Sequence, residues 1–304
     1  MNRGRYKIKR DNLWRRDVEM YKFPIGIILE SLKLPRREAI KKAAGIGAKG
    51  IQMYATEGEN SPENLSAKAR AILKDEVASY GLVFSALCGD LGMGFGEREK
   101  NPALIEKSKK IIGLAKDLGT DIVTTHIGVV PADRECDRYK IMQEACFCLA
   151  RFAESMDAHF AVETGPEPAD VLKEFLDSLG STGVAVNLDP ANFKMVTGFD
   201  PVSAVYILKD YIVHTHAKDG NRLRAGNPEY IYRAVHPVPE EFDDIKYFEE
   251  VPLGTGSVDF PNYLKALEEV GYRGFLTIER EVGETPEEDI AAAYGYLNKV
   301  IAEN

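Results

Sequence analysis

Tyr211–Gly220 reads YIVHTHAKDG. Its first half is apolar and β-branched, as a buried strand is. Its second half carries His214, His216, Lys218 and Asp219 before the glycine. Alternate residues of a strand share a face, so His214, His216 and Lys218 point the same way. An apolar run that ends in imidazoles and then reaches glycine is the pattern of a parallel strand delivering side chains to a site. A lone histidine in such a place is more often a satisfied core residue than a ligand. Three other predicted strands end in carboxylates, and that changes the reading.

Outward from this stretch the chain alternates regularly. Strands are predicted over Phe23–Leu29, Gly50–Tyr54, Gly81–Leu87, Asp121–His126, Ala158–Glu163, Gly183–Asp189, Tyr211–His216 and Gly274–Glu279. Helices are predicted over Leu34–Ala48, Pro62–Ser79 (with Ser61 as N-cap), Pro102–Leu118, Arg138–Met156, Pro168–Leu179, Asp200–Lys209, Phe260–Val270 and Pro286–Ala302. Strict β/α alternation implies a parallel sheet with right-handed crossovers. Eight such units in 304 residues suit a closed (β/α)8 TIM barrel better than an open doubly wound sheet. No strand is followed by GxGxxG, and there is no P-loop sequence. The expectation is an α/β chain with a basic arm over residues 1–22 and one barrel domain over residues 23–304. Asn221–Thr255 exceeds ordinary loop length and is expected to form a lid or a partner contact, with His236 on its surface.

Composition narrows the function. Net charge is −9, which disfavours a nucleic-acid binder. The exception is Met1–Lys22, with eight Lys/Arg against three Asp/Glu, read as a solvated arm packing on the body or on a second copy in a homo-oligomer. No segment has the apolar core of a signal peptide or the length of a membrane span. Cys88, Cys136, Cys146 and Cys148 lack metal-type spacing and are expected to be reduced thiols in a cytoplasmic protein.

Barrels of this kind carry their chemistry at the C-terminal strand ends. Those ends are His126, Glu163, Asp189, His216 and Glu279, so the last four strands each present one potential metal ligand at a common level. Neighbouring strands lie about 4.8 Å apart, close enough for such side chains to meet at one ion. Parity agrees: Glu163 shares its side with Ala161, Asp189 with Asn187 and Glu279 with Thr277, leaving Val162, Leu188 and Ile278 for the helices. Each residue alone has a plainer reading, and Asp189 before Pro190 is also a turn or cap residue. As a set they call for a divalent cation, because buried carboxylates without a counter-charge are costly. Three carboxylates and one imidazole suit manganese, magnesium or cobalt, with zinc possible.

The motifs VETG (Glu163), NLDPAN (Asp189), HTHAKDG (His216), PLGTGSVDF (Pro252–Phe260) and GYRGFLTIERE (Glu279) resemble those of the xylose isomerase-like barrel superfamily and its sugar phosphate isomerase/epimerase group. The resemblance implies that Glu163, Asp189, His216 and Glu279 bind one divalent ion, often manganese, and that Glu163 and Glu279 also act as acid and base. It implies a substrate-binding role for Arg222, six residues after His216, and for Asn192, three after Asp189, where the ketose epimerases usually have histidine. Those enzymes carry a second glutamate where ETGPEPA has alanine, with Glu167 two residues early. The superfamily also contains a trinuclear zinc endonuclease. His126 resembles one of its extra ligands, but Cys88 and PLGTGSVDF stand where further histidines are expected.

The expected activity is therefore that of a metal-dependent isomerase or epimerase of a small keto-sugar. A proton next to the carbonyl would be removed through a metal-stabilised enediolate, with His126, Asn192, Lys218 and Arg222 orienting hydroxyls. Lys218 and Asp219 are equally readable as a structural ion pair, and His214 as a core or supporting residue. Alternatives are a lyase or dehydratase acting on a keto-sugar, inosose or 3-keto-glycoside and, further off, a metal-dependent endonuclease.

Overall fold

Eight short strands pair edge to edge until the last meets the first. In the computed structural model, which describes residues 21–234, 237–242 and 245–303, the order round the closed barrel is β1-β10-β7-β6-β5-β4-β3-β2, all parallel. The barrel strands are β1 (Ile25–Ile28), β2 (Gly50–Tyr54), β3 (Val83–Cys88), β4 (Ile122–Thr125), β5 (His159–Glu163), β6 (Val184–Leu188), β7 (Ile212–Ala217) and β10 (Leu276–Ile278). The basic arm falls almost wholly outside the described residues, and His236 lies outside them too.

Around the barrel run α1 (Arg36–Ile46), α2 (Ala67–Ser79), α3 (Asn101–Leu118), α4 (Asp137–Ser155), α5 (Ala169–Leu179), α7 (Pro201–Leu208), α9 (Phe260–Glu269) and α10 (Pro286–Glu303), with two short turns of helix, α6 (Pro190–Asn192) and α8 (Pro228–Ile231). Each long helix turns an apolar stripe to the sheet. In α5 that stripe is Ala169, Leu172, Phe175, Leu176 and Leu179, all buried and at helical spacing. Val162, Leu188 and Ile278 face this helical layer and are fully buried. Small or polar residues such as Ala161, Asn187 and Thr277 fill the barrel interior.

Two local expectations are corrected. Helix α2 starts at Ala67 rather than Pro62, and Ser66, not Ser61, caps it by accepting the Ala69 amide at 3.3 Å. The carbonyls of Pro62 and Leu65 accept from the Arg70 guanidinium, each at 2.8 Å, which ties the segment before α2 to its first turn. The long segment after β7 is not loop alone. It opens and closes with an antiparallel pair, β8 (Asp219–Arg222) and β9 (Phe248–Val251), in the register Asp219↔Val251 to Arg222↔Phe248.

Gly183, at the entry to β6, passes against the backbone of α4. A Cβ there would land on the Ala150 carbonyl and the Glu154 amide. Because a helix backbone cannot yield as a side chain can, Gly183→Ala is expected to cost about 3 kcal/mol, lowering the Tm in thermal melts by roughly 6–10 °C.

Candidate active site

The C-terminal ends of β5, β6, β7 and β10 bring Glu163, Asp189, His216 and Glu279 together. One ligand atom from each lies within 4.8 Å of all the others, and all four side chains are buried. The ends of β5 and β6 are locked by a reciprocal pair: the Asp189 amide donates to Thr164 Oγ1 at 2.9 Å, and that hydroxyl donates to the Asp189 carbonyl at 3.1 Å. Gly165 has φ +130°, and a Cβ on it would collide with Asn192, so glycine lets the β5 turn pass under that residue.

Asp189 takes up its cap reading with one oxygen and keeps the other within the cluster. Its Oδ1 caps α6, accepting the amides of Ala191 at 2.7 Å and Asn192 at 2.9 Å. Its Oδ2 remains buried with no hydrogen-bond partner among the described residues, as does Glu279 Oε2. Charges stand near both oxygens: His216 Nδ1 is 3.6 Å from Asp189 Oδ2 and 3.0 Å from Glu279 Oε2, and Lys218 Nζ is 3.3 Å from the latter. None of these contacts has hydrogen-bond alignment. Two orphaned carboxylate oxygens converging on one imidazole nitrogen are what a cation site requires, so the donor set fits a divalent ion.

The supporting shell fixes each ligand. His216 Nε2 donates to Gln52 Oε1 at 3.1 Å, which leaves Nδ1 as the nitrogen that faces the carboxylates. Gln52 in turn donates to Thr124 at 3.2 Å. Asn192 Nδ2 donates to Glu163 Oε1 at 3.0 Å and Asn187 Nδ2 to Glu163 Oε2 at 3.2 Å. His214 is not among the ligands: its Nδ1 donates to Asn187 Oδ1 at 2.9 Å and its Nε2 accepts from Thr277 at 2.9 Å. Burial, helped by the neighbouring His216 charge, holds its pKa well below the ordinary imidazole value.

Burial opposes ionisation throughout the cluster, and the neighbours decide the outcome. For Glu163 the charges of His126 and His216 outweigh burial, and for Glu279 those of Lys218 and His216 do, so both sit below the usual carboxylate range. For Asp189 burial wins and the pKa rises. Burial also opposes charge on His216, but Glu279 and Glu163 override it and hold the imidazole well above its ordinary pKa.

The other predicted residues divide. His126 Nδ1 bonds Asp90 Oδ2 at 3.0 Å and its Nε2 is 3.6 Å from Glu163 Oε1. Burial lowers its pKa, but the charges of Glu163 and Asp90 prevail and push it up to about 9. Lys218 does not pair with Asp219. It is buried beside Glu279 and 2.8 Å from Glu281 Oε2, while Asp219 accepts the amides of Gly220, Gly254, Gly256 and Val258 at 2.9–3.1 Å. Arg222 is exposed and donates to the Thr197 carbonyl at 3.1 Å, apart from the carboxylates. Glu167 is buried and accepts the Val130 amide at 3.0 Å, with burial raising its pKa to about 8. Sequence reasoning missed Gln52, Asp90 and Tyr232, whose ring lies 6.2 Å from that of His126. A buried polar residue inside the apolar strand GIQMY was the available signal for Gln52.

A closed parallel barrel with a buried Glu–Asp–His–Glu cluster at its C-terminal strand ends defines the class, a TIM barrel with a candidate divalent-metal centre. The chain belongs to the xylose isomerase-like TIM barrel family, whose model matches residues 40–300. It is 24% identical over 282 residues, 86% of this chain and 89% of the relative, to SgbU of Haemophilus influenzae, provisionally named an L-ribulose-5-phosphate 3-epimerase. Among solved structures, a xylose isomerase domain protein from Planctomyces limnophilus superposes with a TM-score of 0.75 at 24% identity, over 93% of this chain and 97% of that one. The 3-keto-D-glucoside 4-epimerase YcjR from E. coli superposes with a TM-score of 0.67 at 14% identity, over 91% of this chain and all of that one, 100%. At these identities the structural likeness speaks for the fold.

A divalent ion held by this cluster would have to displace the proton that Glu279 and Glu163 keep on His216. Because the folded-state pKa of His216 is raised, the metal-free protein holds that stabilisation below the unfolded imidazole value and loses it as pH climbs through the folded one. The gain in Tm on adding Mn2+ is therefore expected to grow from pH 6 to pH 9. Calorimetry in buffers of different ionisation enthalpy should find about one proton released per ion bound near neutral pH.

Proposed function

We propose that the protein is a divalent-metal-dependent sugar isomerase or epimerase that moves the proton on the carbon next to the carbonyl of a small keto-sugar. The observation that carries this reading is the placement of two glutamates at the two ends of one ligand cluster. Glu163 on β5 and Glu279 after β10 flank the ligands from β6 and β7. The mostly oxygen donor set favours Mn2+, with Mg2+, Co2+ or Zn2+ able to substitute. When bound, the ion supplies Lewis-acid polarisation of the carbonyl and its neighbouring hydroxyl.

The chain's own residues do the rest. Both glutamates rest as carboxylates, so one takes the α-proton while the other, having first taken up a proton from solvent, returns it to the opposite face; either direction uses the same pair. Asn187 and Asn192 hold both oxygens of Glu163, which limits its rotation while it trades a proton. Lys218 beside Glu279 favours the charged form of that base. His126, with Nε2 towards Glu163, stands where it can donate to a substrate hydroxyl. Arg222, exposed at the end of β8, reaches a ligand only if the substrate extends over the rim.

A second reading is elimination. The same α-deprotonation expels a β-leaving group if one is present, giving a lyase or dehydratase of a keto-sugar, inosose or 3-keto-glycoside. Glu167 favours keeping it: its carboxylate is engaged with the Val130 backbone rather than offered to a substrate hydroxyl as the family's second glutamate is.

Glu163→Gln and Glu279→Gln are each expected to cut turnover of a responsive keto-sugar about 10²–10⁴-fold. Deuterium exchange at the α-carbon in D2O, with metal content checked in parallel, reads this directly. Full exchange by both metal-loaded variants would sink the acid/base assignment. Release of water or an alcohol rather than retention of all substrate atoms would select elimination.

A further inference from the structure

The two glutamates of the cluster are held in different ways. Both oxygens of Glu163 accept side-chain amides, from Asn192 at 3.0 Å and from Asn187 at 3.2 Å. Glu279 has no such grip, since its buried Oε2 takes no hydrogen bond among the described residues. Its place is set by its backbone and by what stands behind it. Three consecutive amides are tied down there, each by a different element. The Glu279 amide donates to the Ala217 carbonyl of β7 at 3.2 Å, and the Arg280 amide donates to Ser31 Oγ, beyond β1, at 3.1 Å. The Glu281 amide donates to Glu250 Oε1 of β9, also at 3.1 Å.

Of these ties, the one to Glu250 is the costliest to build. Adjacent strand residues point to opposite faces, so with Glu279 turned to the cluster Arg280 turns away from it. The Arg280 side chain is only 9% exposed and that of Glu250 only 5%. Charged groups so buried are rare unless paired. Arg280 Nη1 donates to Glu250 Oε1 at 2.6 Å, and its Nε donates to Asp289 Oδ2 of α10 at 2.8 Å. One planar fork therefore joins β9, α10 and the chain just past the last barrel strand, which a guanidinium can do and an ammonium cannot. Glu250 Oε2 is also 4.0 Å from Lys218 Nζ, which stands 3.3 Å from Glu279 Oε2. β9 thus reaches Glu279 by two routes, through the backbone and through the lysine. A buried ion pair adds little net stability over an apolar pair of the same size, so stability alone is a weak reason for this one.

We propose that Glu250 and Arg280 are positioning residues for Glu279, so that the antiparallel pair of β8 and β9, outside the barrel, holds one end of the ligand cluster in place. The inference rests on the functional reading above for the role of Glu279 as metal ligand and acid/base group. It gives the long excursion between β7 and the last barrel strand a part in the site that needs no contact with substrate. Glu163 requires no counterpart, because the two asparagines steady it directly.

The test measures Mn2+ binding to the full chain by calorimetry, with the folded fraction followed by circular dichroism. Arg280→Lys keeps the charge but cannot hold Glu250 and Asp289 together, so its effect does not come from a change in net field. It is expected to weaken Mn2+ binding about tenfold, as loss of a group that orients a metal ligand does. Glu250→Ala should do the same, and the lysine variant carries the test if the alanine variant does not fold. In a Glu279→Gln background neither change should lower the affinity by more than about a further twofold, because both act through Glu279. Parent-like affinity of folded Arg280→Lys protein, a loss that merely follows the unfolded fraction, or a loss of the same size in the Glu279→Gln background would each overturn the proposal. Failure of the parent protein to bind Mn2+ would instead remove the metal-dependent reading of the function, and the positioning role with it.

Discussion

Three carboxylates and an imidazole held within a few ångströms, away from water, are the constraint to which the rest of this barrel answers. Like charges so placed repel strongly at low effective dielectric, and desolvation adds to the cost. The protein meets that cost with cations on two sides. His216 keeps its proton between the carboxylates, and Lys218 stands behind Glu279. Lys218 is held in turn by Glu281, with Glu250 of β9 at 4.0 Å, and Glu250 is clamped by Arg280 at 2.6 Å. Charge balance thus runs from the metal ligands out to the excursion.

The barrel was legible because its signals are local and repeated. Apolar strand, glycine and amphipathic helix recur along the chain, and a period of two on each strand fixes which residues face inward. The clustering of Glu163, Asp189, His216 and Glu279 followed from the same rule applied at strand ends. What the sequence left hidden lies across the barrel or in irregular chain. Gln52 supports His216 from a strand on the other side, a contact of 164 residues' separation that no spacing can suggest. Asp90 and Tyr232 belong to loops, where position depends on packing rather than period. β8 escaped because DGNR carries no apolar alternation, and the chain that returns after β9 is tied to it through the Asp219 carboxylate. Arg222, placed by its distance from His216, is turned to the Thr197 carbonyl because it sits at the outer end of that same β8.

The fold and the chemistry separate cleanly by location. The ligand cluster and the asparagines and histidine that steady it come from strands and the residues that follow them directly, elements held in place by the closed sheet. The walls around the cluster come from the β3 and β4 loops and from the excursion after β7. Rigid strand ends with variable walls let one barrel framework carry different sites, which is why family membership alone leaves the substrate open.

The join between these two parts rests on neighbouring residues. Lys218 and Asp219 are adjacent, so strand geometry sends them to opposite sides. Lys218 turns inward and sets the charge beside Glu279. Asp219 turns the other way and gathers four backbone amides, its own neighbour's and three from the chain returning through Gly254, Gly256 and Val258. Gly256 has to be glycine there, since a Cβ would collide with the Asp219 carboxylate. The excursion is therefore pinned at its base one residue from the Lys218 charge beside Glu279. Tyr232 belongs to the segment anchored at Asp219, and that anchor is the backbone neighbour of the charge beside Glu279.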